Sequence, residues 1–68
     1  MKLIDLIYLS KGPFYIKFGS FNEEKNKHEF KEVCFKMRND VPLGLRSRTV
    51  SFIGAKDGAE GLGLAIEL

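Results

Sequence analysis

Turn-forming residues interrupt the chain at four places, so no regular element in it can be long. Ser-Lys-Gly-Pro stands at residues 10–13, Glu-Lys-Asn-Lys at 24–27, Asn-Asp-Val-Pro at 39–42 and Lys-Asp-Gly at 56–58. Gly, Pro, Asn and Asp favour turns over regular structure, and these segments therefore divide the chain into five runs of strand length. Short strands at regular spacing predict a small sandwich or barrel.

The length of the chain allows one small domain, residues 1–68, with a limited hydrophobic core. The single cysteine, Cys34, excludes an intramolecular disulfide and a thiolate metal cage, which stabilise many very small folds. Hydrophobic residues make up 44% of the chain and the net charge is +2, a composition typical of a folded domain. We expect a cytoplasmic protein without a signal peptide or membrane span, because Asp5 interrupts the first apolar run.

Cross-strand pairing of apolar residues supports the strand interpretation. Hairpins centred on residues 11–12, 25–26 and 56–60 bring apolar side chains opposite one another. The predicted pairs are Ile7–Ile16, Ile16–Phe35, Phe18–Val33, Val50–Ile66 and Phe52–Leu64. A sheet with one apolar face must curl to bury it. The predicted fold is all-β, a small five-stranded antiparallel open barrel of the OB- or SH3-like type.

The run from 28 to 38 also fits a helix. Its apolar residues recur at i, i+3, i+4 and i+7, namely Phe30, Val33, Cys34 and Met37. The alternative fold is therefore α+β, with a ββαββ order and a helix at about residues 23–38. Pairing favours the hairpin, because a helix leaves Phe35 facing water.

Two segments carry a resemblance to a known family. Lys-Gly-Pro-Phe-Tyr-Ile at 11–16 and Val-Cys-Phe-Lys-Met at 33–37 stand where cold-shock domains carry Lys-Gly-Phe-Gly-Phe-Ile and Val-Phe-Val-His-Phe. The chain resembles these five-stranded nucleic-acid-binding barrels in the order and spacing of its strands. Pro13, Cys34, Lys36 and Met37 replace the aromatic and histidine residues of the family. The resemblance thus implies a barrel and carries over no binding residue.

No residues assemble into a catalytic or metal site. His28 and Cys34 lie at opposite ends of one predicted strand, roughly 20 Å apart at about 3.3 Å per residue. The glycines between 54 and 63 lack the Lys-Ser or Lys-Thr and the helix of a phosphate-binding loop. We expect Gly58 to supply a positive φ in a turn instead. We therefore expect that the protein is not an enzyme and that it binds no metal or cofactor.

Aromatic and basic residues share the predicted face opposite the core. Proteins that bind single-stranded nucleic acid stack bases on aromatic rings and meet phosphates with Lys or Arg. The predicted nucleic-acid-binding residues are Tyr15, Lys17, Phe21, Phe30, Lys36, Arg38, Arg46 and Arg48. We therefore expect a small non-catalytic binding module for single-stranded nucleic acid.

The apolar loop at 41–45 supports a different function. Val41, Leu43 and Leu45 either plug one end of the barrel or contact another protein. The alternative function is a protein–protein interaction module that regulates or inhibits a larger partner protein, for example an inhibitor of the phage or mobile-element type. Homodimerisation through this loop or through an unpaired edge strand is a further expectation.

Overall fold

A computed structural model describes all 68 residues and contains a four-stranded open sheet with short helices. The elements are α1 (Leu3–Leu9), β1 (Phe14–Asn22), β2 (Lys27–Phe35), a 3-10 turn (Arg38–Asp40), α2 (Leu43–Arg46), β3 (Phe52–Gly58) and β4 (Gly61–Glu67). The strand order is β2-β1-β4-β3, with β1 parallel to β4 and both hairpins antiparallel. The β-rich character is confirmed, whereas an open sheet with a parallel central pair replaces the predicted five-stranded antiparallel barrel.

The first apolar run forms the helix α1 and not a strand. Leu3, Leu6 and Ile7 follow the i, i+3, i+4 spacing of one helical face, and all three belong to the core or pack against it. A helix of seven residues has little stability by itself, so packing on the sheet decides its conformation. The predicted strand pairing of Ile7 with Ile16 is wrong, since both side chains meet in the core between the two layers.

The β1–β2 hairpin is confirmed, and the alternative helix at about 23–38 is wrong. Ile16 pairs with Val33, which shifts the predicted register by two residues. The longer loop at 23–26 explains the shift: the Asn22 side-chain oxygen accepts backbone N–H bonds from Glu24 and Lys25 at 3.1 and 3.3 Å. A shift of two keeps each side chain on its predicted face.

The β3–β4 hairpin has a register that the sequence did not predict. Gly61 takes the positive φ of 94° that was expected at Gly58, and the turn therefore lies at 59–60. Phe52 pairs with Glu67 instead of Leu64, a shift of three residues. An odd shift exchanges the two faces of a strand, so Phe52 points away from the core and Ile53 towards it.

The core lies between one face of the sheet and the helical segments. Seven buried residues form it: Leu3, Ile7, Phe14, Ile16, Val41, Leu45 and Ile66. No helix or strand packs on the opposite face, here called the open face. The residues on this face are Tyr15, Lys17, Gly19 and Phe21 of β1, His28, Phe30, Glu32 and Cys34 of β2, Phe52, Gly54, Lys56 and Gly58 of β3, and Gly61, Gly63, Ala65 and Glu67 of β4. No helix has both the length and the apolar character that crossing a membrane requires.

Candidate functional site

The eight residues predicted to bind nucleic acid lie in three places. Tyr15, Lys17, Phe21 and Phe30 lie on the open face. Lys36 and Arg38 follow the end of β2, while Arg46 ends α2 and Arg48 lies in the segment before β3. The structure therefore does not join all eight in one continuous surface, although Arg46 lies beside Arg38.

Tyr15 lies under other side chains of the open face and is only 4% exposed. Its hydroxyl donates to the Gly61 carbonyl oxygen at 2.6 Å and accepts from the Glu60 backbone N–H at 3.1 Å. The Lys56 ammonium lies 5.4 Å from the centre of the ring. The ring consequently has no free face on which a base can stack.

The lysines of the open face are paired with carboxylates of the same face. Lys17 Nζ lies 3.9 Å from Glu67 Oε1, and Lys56 of β3 pairs with Glu32 of β2 across the sheet. The two cations and two carboxylates balance, so this part of the face has no net charge to attract a polyanion.

The exposed aromatic rings of the open face lie against glycines. A Cβ atom at Gly19 would be 3.6 Å from the Phe30 ring, and one at Gly54 would be 3.0 Å from the Phe52 ring. The missing side chains let both rings lie close to the sheet. The Lys17 ammonium lies 5.9 Å from the centre of the Phe30 ring, and Phe21 packs edge-on against His28. The result is a shallow aromatic surface.

Three cationic residues line a groove between the end of α1 and the segment after β2. The groove has a volume of about 520 Å³ and is lined by three cationic side chains and no carboxylate. Its lining residues are Tyr8, Leu9, Ser10, Lys11, Gly12, Lys36, Met37, Arg38 and Asn39. We call it the basic groove. The two walls approach each other at Gly12, where a Cβ atom would collide with the Lys36 carbonyl oxygen.

Tyr8 provides an aromatic platform beside these cations. Its side chain is 72% exposed. The Arg38 guanidinium lies 5.3 Å from the ring centre and donates a 2.9 Å hydrogen bond to the Tyr8 carbonyl oxygen. A second hollow of about 300 Å³ also touches Tyr8 and Arg38 and adds Arg46 to the surrounding positive charge.

Glu60 and Asp5 are carboxylates close to residues of the basic groove. Glu60 Oε2 is 3.7 Å from Lys36 Nζ, and both side chains are largely exposed. An ion pair of this kind contributes about 0–1 kcal/mol, so Lys36 can exchange Glu60 for another anion. Asp5 stands one helical turn before Tyr8 and lines the adjoining surface with it.

Two of the predicted binding arginines hold the backbone together. Arg46 donates from Nε to the Val41 carbonyl oxygen at 2.9 Å and from Nη2 to those of Arg38 and Asn39 at 3.2 and 3.3 Å. Arg48 donates from Nη1 to the Gly19 carbonyl oxygen at 3.1 Å. Both side chains thus connect separate segments of the fold.

The residues of the alternative protein-interaction site point in different directions, because Leu43 and Leu45 are on different sides of the short helix α2. Val41 and Leu45 are buried in the core, whereas Leu43 is 77% exposed. The side chains of Val41 and Leu45 are therefore not available to a partner, and the loop forms no continuous apolar surface.

The sequence interpretation missed Tyr8 and Lys11. When the first apolar run of the chain is interpreted as a strand, nothing distinguishes Tyr8 from its neighbours. The helical spacing of Leu3, Leu6 and Ile7 was the signal that could have found it, since a helix that buries these residues turns Tyr8 outward.

The structure contains no group of three or more His, Cys, Asp or Glu side chains that could hold a metal ion.

Comparison with known proteins assigns the chain to no family. No protein-family model matches the chain, and neither the curated proteins nor the solved structures provide a match.

Proposed function

We propose that the protein is a non-catalytic binding module for single-stranded nucleic acid, and that the basic groove is its binding site. One observation supports this: Lys11, Lys36 and Arg38 converge on the groove without a lining carboxylate, beside the exposed ring of Tyr8. A ligand that complements such a surface carries repeated negative charges and flat rings.

Each part of the groove has a role in this proposal. Lys11 and Lys36 meet phosphates as point charges, and the planar guanidinium of Arg38 makes paired hydrogen bonds to phosphate oxygens. A base stacks on Tyr8, an interaction worth about 1–3 kcal/mol per base. Leu9 and Met37 supply the apolar part of the lining.

The exposed tyrosine favours a single strand over a duplex. Stacking on Tyr8 requires a base that is free of its own neighbours, and bases of a duplex are not. A groove of about 520 Å³ is at the scale of small-ligand pockets, so it accommodates a short stretch of the strand and not a wrapped duplex.

Fluorescence anisotropy of labelled mixed-sequence single-stranded DNA and RNA tests the proposal. Binding should be saturable at low salt and weaken at physiological salt. With three cations on phosphates, the slope of log K against log salt should be about −2, from about −0.7 per contact. Absence of saturable binding at low salt would overturn the proposal.

Substitutions in the groove separate the contribution of its positive charges to binding from that of base stacking on Tyr8. Lys11→Ala with Arg38→Ala should lower affinity at least about tenfold and flatten the salt slope to about −0.7. Tyr8→Ala should lower affinity with an unchanged slope, because stacking releases no counterions. Lys27→Ala with Lys31→Ala is the charge-matched control for the double variant, since both lysines are on β2 and are exposed outside the groove. Equal losses in the groove variants and the control would contradict the assignment of the site.

The alternative, a module that regulates a larger partner protein, has less support. Its predicted contact residues Val41 and Leu45 are in the core, and Leu43 is the one member that remains at the surface.

A further inference from the structure

The molecule exposes more surface than its mass requires. Its accessible surface is 4822 Å², against about 4,300 Å² for a folded monomer of this mass. The excess of about 500 Å² is of the same order as the roughly 800 Å² that each partner contributes to a standard interface. Only 8 of 68 residues are buried, which leaves apolar surface for a partner to cover.

Much of the exposed aromatic surface is on the open face. Phe21, Phe30 and Phe52, three of the six phenylalanines, are 51%, 71% and 55% exposed there. The rings of Phe30 and Phe52 lie against Gly19 and Gly54, which keeps the surface shallow enough for a flat partner. Aromatic residues are enriched at protein interfaces relative to the rest of the surface.

The charges of the open face favour a second copy of the same face over a polyanion. Lys17 with Glu67 and Lys56 with Glu32 give the face equal numbers of cations and carboxylates. A polyanion finds no net attraction here. A second copy of the same face finds no repulsion and can place each of its lysines near a carboxylate, as an isologous interface requires.

We infer that the open face is the interface of a symmetric homodimer, in which the exposed phenylalanines of each copy are buried against the other copy. A hollow of about 240 Å³ beside Phe30, lined by Lys17, Phe30, Ser51, Glu67 and Leu68, receives an aromatic ring of the second copy. Two-fold symmetry makes each face both the donor of a ring and its receptor. The basic groove lies outside this face and stays accessible in the dimer.

Sedimentation equilibrium and light scattering over a concentration series test this inference. The mass should rise from 7.7 kDa towards twice that value between micromolar and millimolar protein. The balanced charges predict a dissociation constant that changes little with salt. A wild-type protein that stays monomeric at millimolar concentration would overturn the inference.

Variants show which face forms the dimer. Phe30→Asp and Phe52→Asp should each weaken it at least about tenfold, as expected when a large aromatic side chain buried in an interface is replaced by a charged one. Phe30→Thr and Phe52→Thr repeat the test with side chains that favour strands, in case the aspartates disturb the sheet. Leu43→Asp and Leu62→Asp are the matched controls, because both leucines are at least as exposed as the phenylalanines and lie off the open face. A dimer lost in the leucine variants and kept in the phenylalanine variants would contradict the assignment.

Discussion

The Tyr15 hydroxyl donates a 2.6 Å hydrogen bond to the carbonyl oxygen of Gly61, which is 46 residues further along the chain. The side chain reaches from β1 over β4 to the turn of the β3–β4 hairpin, where it also accepts the Glu60 N–H. The two hairpins of the sheet are joined by the parallel pairing of β1 with β4 over four positions. Tyr15 therefore stabilises the junction between the two halves of the sheet.

Removal of this hydroxyl should destabilise the fold without affecting the basic groove. Tyr15→Phe loses both hydrogen bonds and should lower the free energy of unfolding by about 1–2 kcal/mol, measured by urea denaturation. Tyr8→Phe is the matched control, because no hydrogen bond to another protein group involves that exposed hydroxyl, and it should change stability by less than about 0.5 kcal/mol. Equal stabilities of the two variants would show that the Tyr15 contacts contribute nothing.

A side chain at Gly58 should disturb the same contact. The Cβ atom of Gly58→Ala would lie 2.5 Å from Tyr15 Cε1, so the ring must move. We expect a loss of about 1–3 kcal/mol in unfolding free energy, as for other overpacked sites.

Gly44→Ala is the control for this substitution. No atom lies within 4 Å of a Cβ placed at Gly44, which is in α2, and alanine is favoured over glycine in helices. The variant should be unchanged or more stable by up to about 1 kcal/mol. A Gly58→Ala protein as stable as Gly44→Ala would contradict the packing of Tyr15 over Gly58.

Pairing within one hairpin was predictable, because local turn chemistry limits the choice. In β1–β2 the error of two residues came from the Asn22 side chain, which lengthens the loop, and it left Phe21 and Phe30 on the correct face. In β3–β4 the error of three residues came from choosing Gly58 over Gly61 as the residue with positive φ. The sequence alone does not distinguish Gly58 from Gly61 as the residue with positive φ.

The parallel contact of β1 with β4 and the helical state of the first run were not predictable in this way. Both depend on residues far apart in the chain: Leu3 and Ile7 adopt a helix because Phe14, Ile16 and Ile66 form the surface on which they pack. The basic groove depends on the same packing, because α1 places Lys11 opposite Lys36 and Arg38. Residue type was sufficient to predict that Lys36 and Arg38 bind nucleic acid. It was not sufficient to predict which residues line the groove beside them.

Arg46 is half-buried at the end of α2 and is expected to matter for stability, because it binds three backbone carbonyl oxygens. Arg46→Ala leaves the carbonyl oxygens of Arg38, Asn39 and Val41 without this donor, and should lower the free energy of unfolding by about 1–3 kcal/mol in urea denaturation. Arg46→Lys should not restore it, because a single ammonium cannot reproduce a planar fork that reaches three oxygens. Full stability of the lysine variant would show that charge alone is sufficient at this position.

Asp5 should oppose nucleic-acid binding, because it is the carboxylate that shares a surface with Tyr8 next to the basic groove. Asp5→Asn removes its negative charge and should raise the affinity for single-stranded DNA about two- to threefold at low salt in the anisotropy assay. The gain should fall at high salt, since exposed charges are screened beyond about 8–10 Å at physiological ionic strength. The substitution also removes an acidic residue from the first turn of α1, which costs about 0.3–1 kcal/mol of stability. Asp57→Asn is the control, with the same change of charge at an exposed site on β3. An equal gain in both variants would assign the effect to net charge and not to the groove.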